Sequence, residues 1–159
     1  MKGKPVRPTA VFTRNHQVHL DDALVVCSQD PTRPVTFRAA TVWATAERTV
    51  STTGPVPLYI AAIGHDRGVE FVAELIEIQT RPSKGDSTTK RLLGYSTNST
   101  RHEGLWEQYN KTVRTLYVMR GLRRLAKPFP LSALTRALDE RPLSDRFQYS
   151  YALVRPVVV

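Results

Sequence analysis

The chain has a single cysteine, Cys27, in 159 residues, which excludes an internal disulfide and any multi-cysteine zinc site. Set in the apolar run Ala23-Leu24-Val25-Val26, it reads as a small buried hydrophobe rather than a reactive thiol. Long hydrophobic runs are missing too, and nothing approaches the roughly 18 apolar residues of a membrane span. The opening "MKGKPVRPT" is basic with no apolar segment behind it, so a cytoplasmic protein without a secretory leader is expected. Glycine is sparse, and "GHDRG" lacks the Lys-Ser/Thr pair and following helix of a phosphate-binding loop.

Catalytic groupings are equally scarce. His65 and Asp66 are sequence neighbours whose side chains diverge, and no Ser or Cys elbow lies near them. Glu70 and Glu74 share a strand face without a third partner. His16 and His19, beside Asp21 and Asp22, come together on one face only in a helix, and nothing marks the remaining ligands of a metal. A non-enzyme without metal or cofactor is the expectation.

What the chain does have is positive charge: 23 Lys and Arg against 14 acids, a net +9. Such a balance favours a polyanionic partner, with nucleic acid ahead of an anionic membrane surface. The excess is concentrated. Between Arg81 and Lys127 stand eleven cations (Arg81, Lys84, Lys90, Arg91, Arg101, Lys111, Arg114, Arg120, Arg123, Arg124, Lys127) and three acids, a surplus of eight.

The apolar fraction, 41%, is enough for one core and too high for disorder. Residues 1–8 read as a flexible basic arm and residues 9–159 as one domain. "TAVFTRN" reads as a strand. "LDDALVV" fits a helical turn or a buried strand equally. A β-branched stretch runs through Val42 to the breaker "STTGPVP". Residues 57–63 and 68–78 form a hairpin with a glycine at each shoulder. Its second strand carries Val69, Phe71, Ala73 and Leu75 on one face, then changes phase to Ile76 and Ile78, the pattern of a β-bulge. Residues 92–112 read mostly as loop, 115–122 as a strand, "ALTRALDE" after Ser132 as a short helix, and 147–154 as a half-exposed closing strand. The expected class is α+β: a small, partly closed mixed β-barrel with two or three short flanking helices.

Aromatics lie among the cations. Tyr95, Trp106 and Tyr109 alternate with Arg101, Lys111 and Arg114, in the manner of surfaces that stack bases and hold phosphates. Trp106 reads as such a platform or as a lid over the barrel mouth, whereas Tyr59 and Tyr117 sit in apolar strands. Trp43 stands among Ala and Thr between Arg38 and Arg48, either as a core anchor or as one wall of a pocket for a flat ligand.

The order "AVFTRN", "VWATAER", "VPLYIAAIGHDRGVEFVAELIEI" and "TLYVMRGLRRLAKPFPLSAL" resembles the YTH and EVE branch of the PUA-like superfamily over roughly residues 10–145. The Trp-Ser-Thr text of the YTH branch stands here as Trp43-Ala44-Thr45, and the Asn-Pro-x-x-Trp text of the EVE branch is absent. The resemblance implies a PUA-like barrel that holds a modified, typically methylated, nucleobase in an aromatic cage, with flipping from a duplex left open. Such modules often serve as targeting domains of restriction or defence systems, and the resemblance implies that role here. Trp43 and Trp106 would be the walls, with Thr45, Asn15, Tyr95 and Tyr109 around the base. Arg81, Lys84, Lys90, Arg91, Arg101, Lys111, Arg120, Arg123 and Arg124 would hold phosphates of DNA or RNA. The alternatives are a general nucleic-acid binder in which the tryptophans are structural, and a metal-dependent nuclease.

Overall fold

The computed structural model describes residues 8–64, 67–101 and 113–159, with Arg101 as backbone alone. The elements run β1 (Ala10–Asn15), α1 (Gln17–Gln29), β2 (Val35–Ala39), α2 (Ala44–Thr53), β3 (Val56–Ala62), β4 (Val69–Thr80), α3 (Ser87–Leu93), α4 (Asn98–Arg101), β5 (Thr115–Phe129) and β6 (Tyr151–Val154). The strands make one six-stranded sheet in the order β2-β5-β4-β3-β1-β6, curved into a half-barrel. β1 and β3 are parallel, and the other pairs are antiparallel. The α+β class with a mixed, partly closed sheet and short helices is therefore the fold, with four α-helices among the described residues.

Both faces of the sheet are covered, which is why β1 and β3 are buried almost throughout. On one face α1 sets Leu20, Ala23 and Cys27, at helical spacing, against β5, while α2 sets Ala46 and Val50 against β4. On the other face Phe12, Tyr59 and Val72 meet Leu131, Leu134, Leu143 and Val154 from the C-terminal part of the chain. Farther along that face, Leu92 of α3 packs with Leu116 and Val118.

The hairpin of β3 and β4 is present, with Gly64 at φ +84 and Gly68 at φ +73; its tip, His65-Asp66, lies outside the described residues. At Gly68 a side chain would run into the Phe129 carbonyl, so the glycine is needed for space as well as conformation. β4 pairs with β5 through register shifts at Val69/Phe71, Val72/Glu74 and Leu75/Glu77. The last puts Ile78 on the inner face with Leu75 and turns Ile76 to the outer one with Leu92. Val69, by contrast, joins the outer cluster.

Other elements correct the sequence reading. "LDDALVV" is helix, within α1. α2 was not foreseen, because four threonines in "ATAERTVSTT" lower its helix propensity. Thr49 and Thr53 satisfy their hydroxyls by donating back to the carbonyls of Thr45 and Thr49. Residues 92–112 are not all loop, since α3 ends and α4 lies there. β5 continues through "RRLAKPF" to Phe129 instead of stopping at Leu122. After it stands a 3₁₀ turn, Leu131–Ala133, in place of a helix over "ALTRALDE". The closing strand begins only at Tyr151; residues 147–150 cross the end of the sheet without regular structure.

Candidate nucleic-acid interface

Trp43 occupies the N-cap position of α2 and is fully buried. Its backbone N–H donates to Thr115 Oγ1 at 3.1 Å, and that hydroxyl donates to the Thr41 carbonyl at 2.7 Å. The indole lies between two tyrosines. Tyr117 of β5 is stacked on it at 4.4 Å and 20°, and Tyr151 of β6 at 4.9 Å and 29°. Phe37 of β2 meets Tyr117 edge-on at 5.9 Å. In this arrangement both faces of Trp43 are already covered by the chain's own rings, so the small neighbours of Trp43 leave room for tyrosines from distant parts of the sequence.

Residues 147–151 form a strap over this stack. Trp43 Nε1 donates to Ser150 Oγ at 3.2 Å, Thr13 Oγ1 to the Ser150 carbonyl at 2.7 Å, and Arg14 Nη2 to the Phe147 carbonyl at 2.8 Å. A recess opens on either side of the strap. One, of about 540 Å³, is lined by Thr41, Thr45 and Tyr151, with Arg136 and Leu138 at its edge. The other, of about 450 Å³, is lined by Arg14, Asn15, His16, Arg38, Tyr117 and Gln148. Tyr149 and Ser150 belong to both, and Tyr149 is 78% exposed.

The second recess has the richer chemistry. Buried Asn15 donates from Nδ2 to the Tyr117 hydroxyl at 2.8 Å and accepts the His16 N–H at Oδ1, also at 2.8 Å. The amide keeps one N–H and one lone pair beyond those two bonds. Arg14 and Arg38 add two guanidiniums to the wall. Backbone bonds bring further cations to the same end of the sheet. Arg114 N–H donates to the Ala39 carbonyl and Arg81 N–H to the Arg114 carbonyl, each at 2.8 Å, with both side chains exposed.

The residues singled out from the sequence are thus partly gathered and partly dispersed. Asn15 and Thr45 line the two recesses beside Trp43. Tyr95 packs with Leu92, Leu116 and Val118, on the opposite face of β5 from Tyr117, so the sheet separates it from Trp43. Trp106, Tyr109 and Lys111 lie outside the described residues, as does the side chain of Arg101.

Among the expected phosphate ligands, Arg91 is held by Glu77 through two bonds, at 2.9 and 2.7 Å. The Glu77 carboxylate, with Tyr95 beside it, pushes the Arg91 guanidinium up from its ordinary value. Arg120 is bonded to Glu74, and Arg124 lies 3.9 Å from Asp21 and over the Phe71 ring. Arg81, Lys84, Lys90 and Arg123 are exposed.

Sequence reasoning missed Tyr117 and Tyr151 as partners of Trp43, and Arg14, Arg38 and Tyr149 as walls. The alternation of "FQYSY" was the available signal, but it suggested a strand rather than a strap.

Among the described residues, His19 and Glu70 have neighbours within the fold. His19 sits against Ser99 at 2.9 Å and edge-on to His16 at 5.7 Å. Glu70 is buried, with Arg67 at 3.8 Å. Among the described residues no three His, Cys, Asp or Glu side chains converge as a metal site, and no helix is long and apolar enough to cross a membrane. Comparison with protein-family models, with curated proteins and with solved structures gives no match to this chain.

Proposed function

We propose that this chain is a nucleic-acid-binding module that takes one base, of the modified kind bound by the YTH and EVE readers it resembles, into the recess beside Trp43. The observation that carries the reading is the recess of about 450 Å³ in which Asn15 and Tyr117 form a hydrogen-bonded floor beneath Arg14, Arg38 and the exposed Tyr149. Its volume falls within the range of about 300–1,000 Å³ usual for small-ligand pockets.

Each group has a role. The Tyr149 ring offers a stacking face, worth about 1–3 kcal/mol for a base. The spare N–H and lone pair of Asn15 meet the polar edge of the base. Arg38, Arg81 and Arg114 hold the flanking phosphates at the mouth. Trp43 acts as a support: it fixes Tyr117 by stacking and the strap through Ser150. A base reaches such a pocket at little cost from a single strand and at a few kcal/mol from a duplex, so single strands bind better.

The test is titration of a labelled single-stranded oligonucleotide at several salt concentrations. Wild type loses affinity steeply as salt rises. The Arg38→Glu/Arg81→Glu double variant binds at least about tenfold more weakly with a shallower slope. Binding indifferent to salt and to both charge reversals contradicts the reading.

A further inference from the structure

Across the strap, the recess of about 540 Å³ adjoins that of about 450 Å³ along two walls. Tyr149 and Ser150 line both, and Ala40 of the smaller recess is the chain neighbour of Thr41 of the larger. The dividing wall is fixed from beneath. Ser150 accepts the Trp43 indole N–H at 3.2 Å, and its carbonyl accepts the Thr13 hydroxyl at 2.7 Å. Phe147, which lines the larger recess, meets the Tyr149 ring edge-on at 5.5 Å and steadies it.

The larger recess is the more apolar of the two. β6 contributes Tyr151, Ala152 and Leu153 to it, and Leu138 stands at its edge, 86% exposed. A fold gains nothing by leaving large apolar side chains in water. Yet Ile63, Leu138 and Tyr149 are all exposed, and each lines one recess or the other. Apolar surface gathered in this way marks a place where something binds. The polar groups of the larger recess are few: the hydroxyls of Thr41, Thr45 and Ser150, and the Arg136 guanidinium, which lies 3.4 Å from Asp139. No carboxylate of a described residue lines either recess.

We infer that the larger recess holds a second base of the same strand, the immediate neighbour of the one beside Trp43, with Tyr149 as the wedge between them. The inference rests on the nucleic-acid reading of the smaller recess. Consecutive bases are tied by one phosphodiester, so they can part only around a wall as thin as a side chain. The shared Tyr149 is such a wall, and an aromatic ring has two faces to stack on. Leu138 and Leu153 cover the second base, Thr41 and Thr45 meet its edge, and Arg136 meets the phosphate beyond it. A hydroxyl both donates and accepts, so this recess takes any of the bases. The module is then selective at one position and tolerant at the next.

The experiment titrates the full chain against labelled single strands of about nine nucleotides, as DNA and as RNA, centred on N6-methyladenine or on 5-methylcytosine. In the best-bound strand an abasic position replaces the neighbour on the 5′ side, the neighbour on the 3′ side, or a base farther along. Loss of one immediate neighbour is expected to weaken binding at least about fivefold, and loss of the distant base to change it little. Leu138→Ser, at an exposed position, is expected to keep the wild-type unfolding temperature and the preference for the modified base. It binds the intact strand at least about threefold more weakly and shows a smaller penalty for the abasic neighbour, because part of that base's contact is already gone. Equal loss from every abasic position, or no loss from either neighbour while the modified base is still preferred, overturns the second recess and leaves the first in place. A neighbour penalty unchanged in Leu138→Ser overturns it too, since stacking within the strand then explains the loss. Failure of every strand to bind overturns both.

Discussion

The Trp43 indole and the Tyr117 ring lie stacked, 4.4 Å apart between centroids and 20° from parallel, and the Tyr117 hydroxyl accepts the amide of Asn15. One tyrosine thus joins the aromatic core to the polar floor of the recess. The core and the binding surface are linked at this point, and substitutions here separate their contributions.

Truncating Trp43 removes a fully buried ring together with its contacts to Tyr117 and Tyr151. Trp43→Ala is expected to cost about 3–5 kcal/mol of stability in urea unfolding. A loss below about 1 kcal/mol contradicts the packed stack.

Tyr117→Phe keeps the stack and removes only the hydroxyl. Buried Asn15 then loses the acceptor for one N–H. The expected cost is about 1–3 kcal/mol, mostly the desolvation of an unpaired donor. An unchanged unfolding free energy means that the amide finds another partner.

Gly68→Ala places a methyl against the Phe129 carbonyl at a positive φ. More than about 1 kcal/mol of destabilisation is expected from conformation alone, with the clash in addition. A wild-type melting temperature contradicts the close approach of the hairpin shoulder to the end of β5.

Asp86 caps α3. The Thr89 backbone N–H, at 3.0 Å, and then the Gln79 amide, at 2.9 Å, hold its carboxyl below the ordinary carboxylate range. A carboxylate depressed in the folded state contributes stability above its unfolded value, about 3.9, and loses it as pH falls through the lower folded value. The melting-temperature gap between wild type and Asp86→Ala should therefore be constant from about pH 7 to 5 and narrow below about pH 4. A gap unchanged into strong acid contradicts the cap.

Local signals were legible in the sequence, and distant ones were not. The glycines flanking residues 65–67 and the phase change after Leu75 disclosed the β3–β4 hairpin and its bulge, because turn chemistry and strand alternation are short-range. α2 stayed hidden, since its threonines find their partners only once the helix exists. Trp43 was recognised as unusual for its small neighbours. Its partners come from β5 and β6, which no local pattern links to it. Clustering of charge along the chain was likewise a poor guide to clustering in space. Arg91 and Arg120 are engaged with Glu77 and Glu74, whereas Arg14 and Arg38, outside the basic segment, stand at the recess.

The most direct test of the account compares single-stranded oligonucleotides that differ only in one base, adenine or N6-methyladenine, cytosine or a modified cytosine. Wild type is measured beside Tyr149→Ala and Asn15→Ala at fixed salt. The account predicts tighter binding of one modified oligonucleotide, with the preference lost in both variants, while Tyr149→Ala unfolds close to wild type and Asn15→Ala stays folded with a lower unfolding temperature from its lost bond to Tyr117. Equal binding of every oligonucleotide, untouched by either substitution, would contradict it and leave a basic surface that holds the backbone alone.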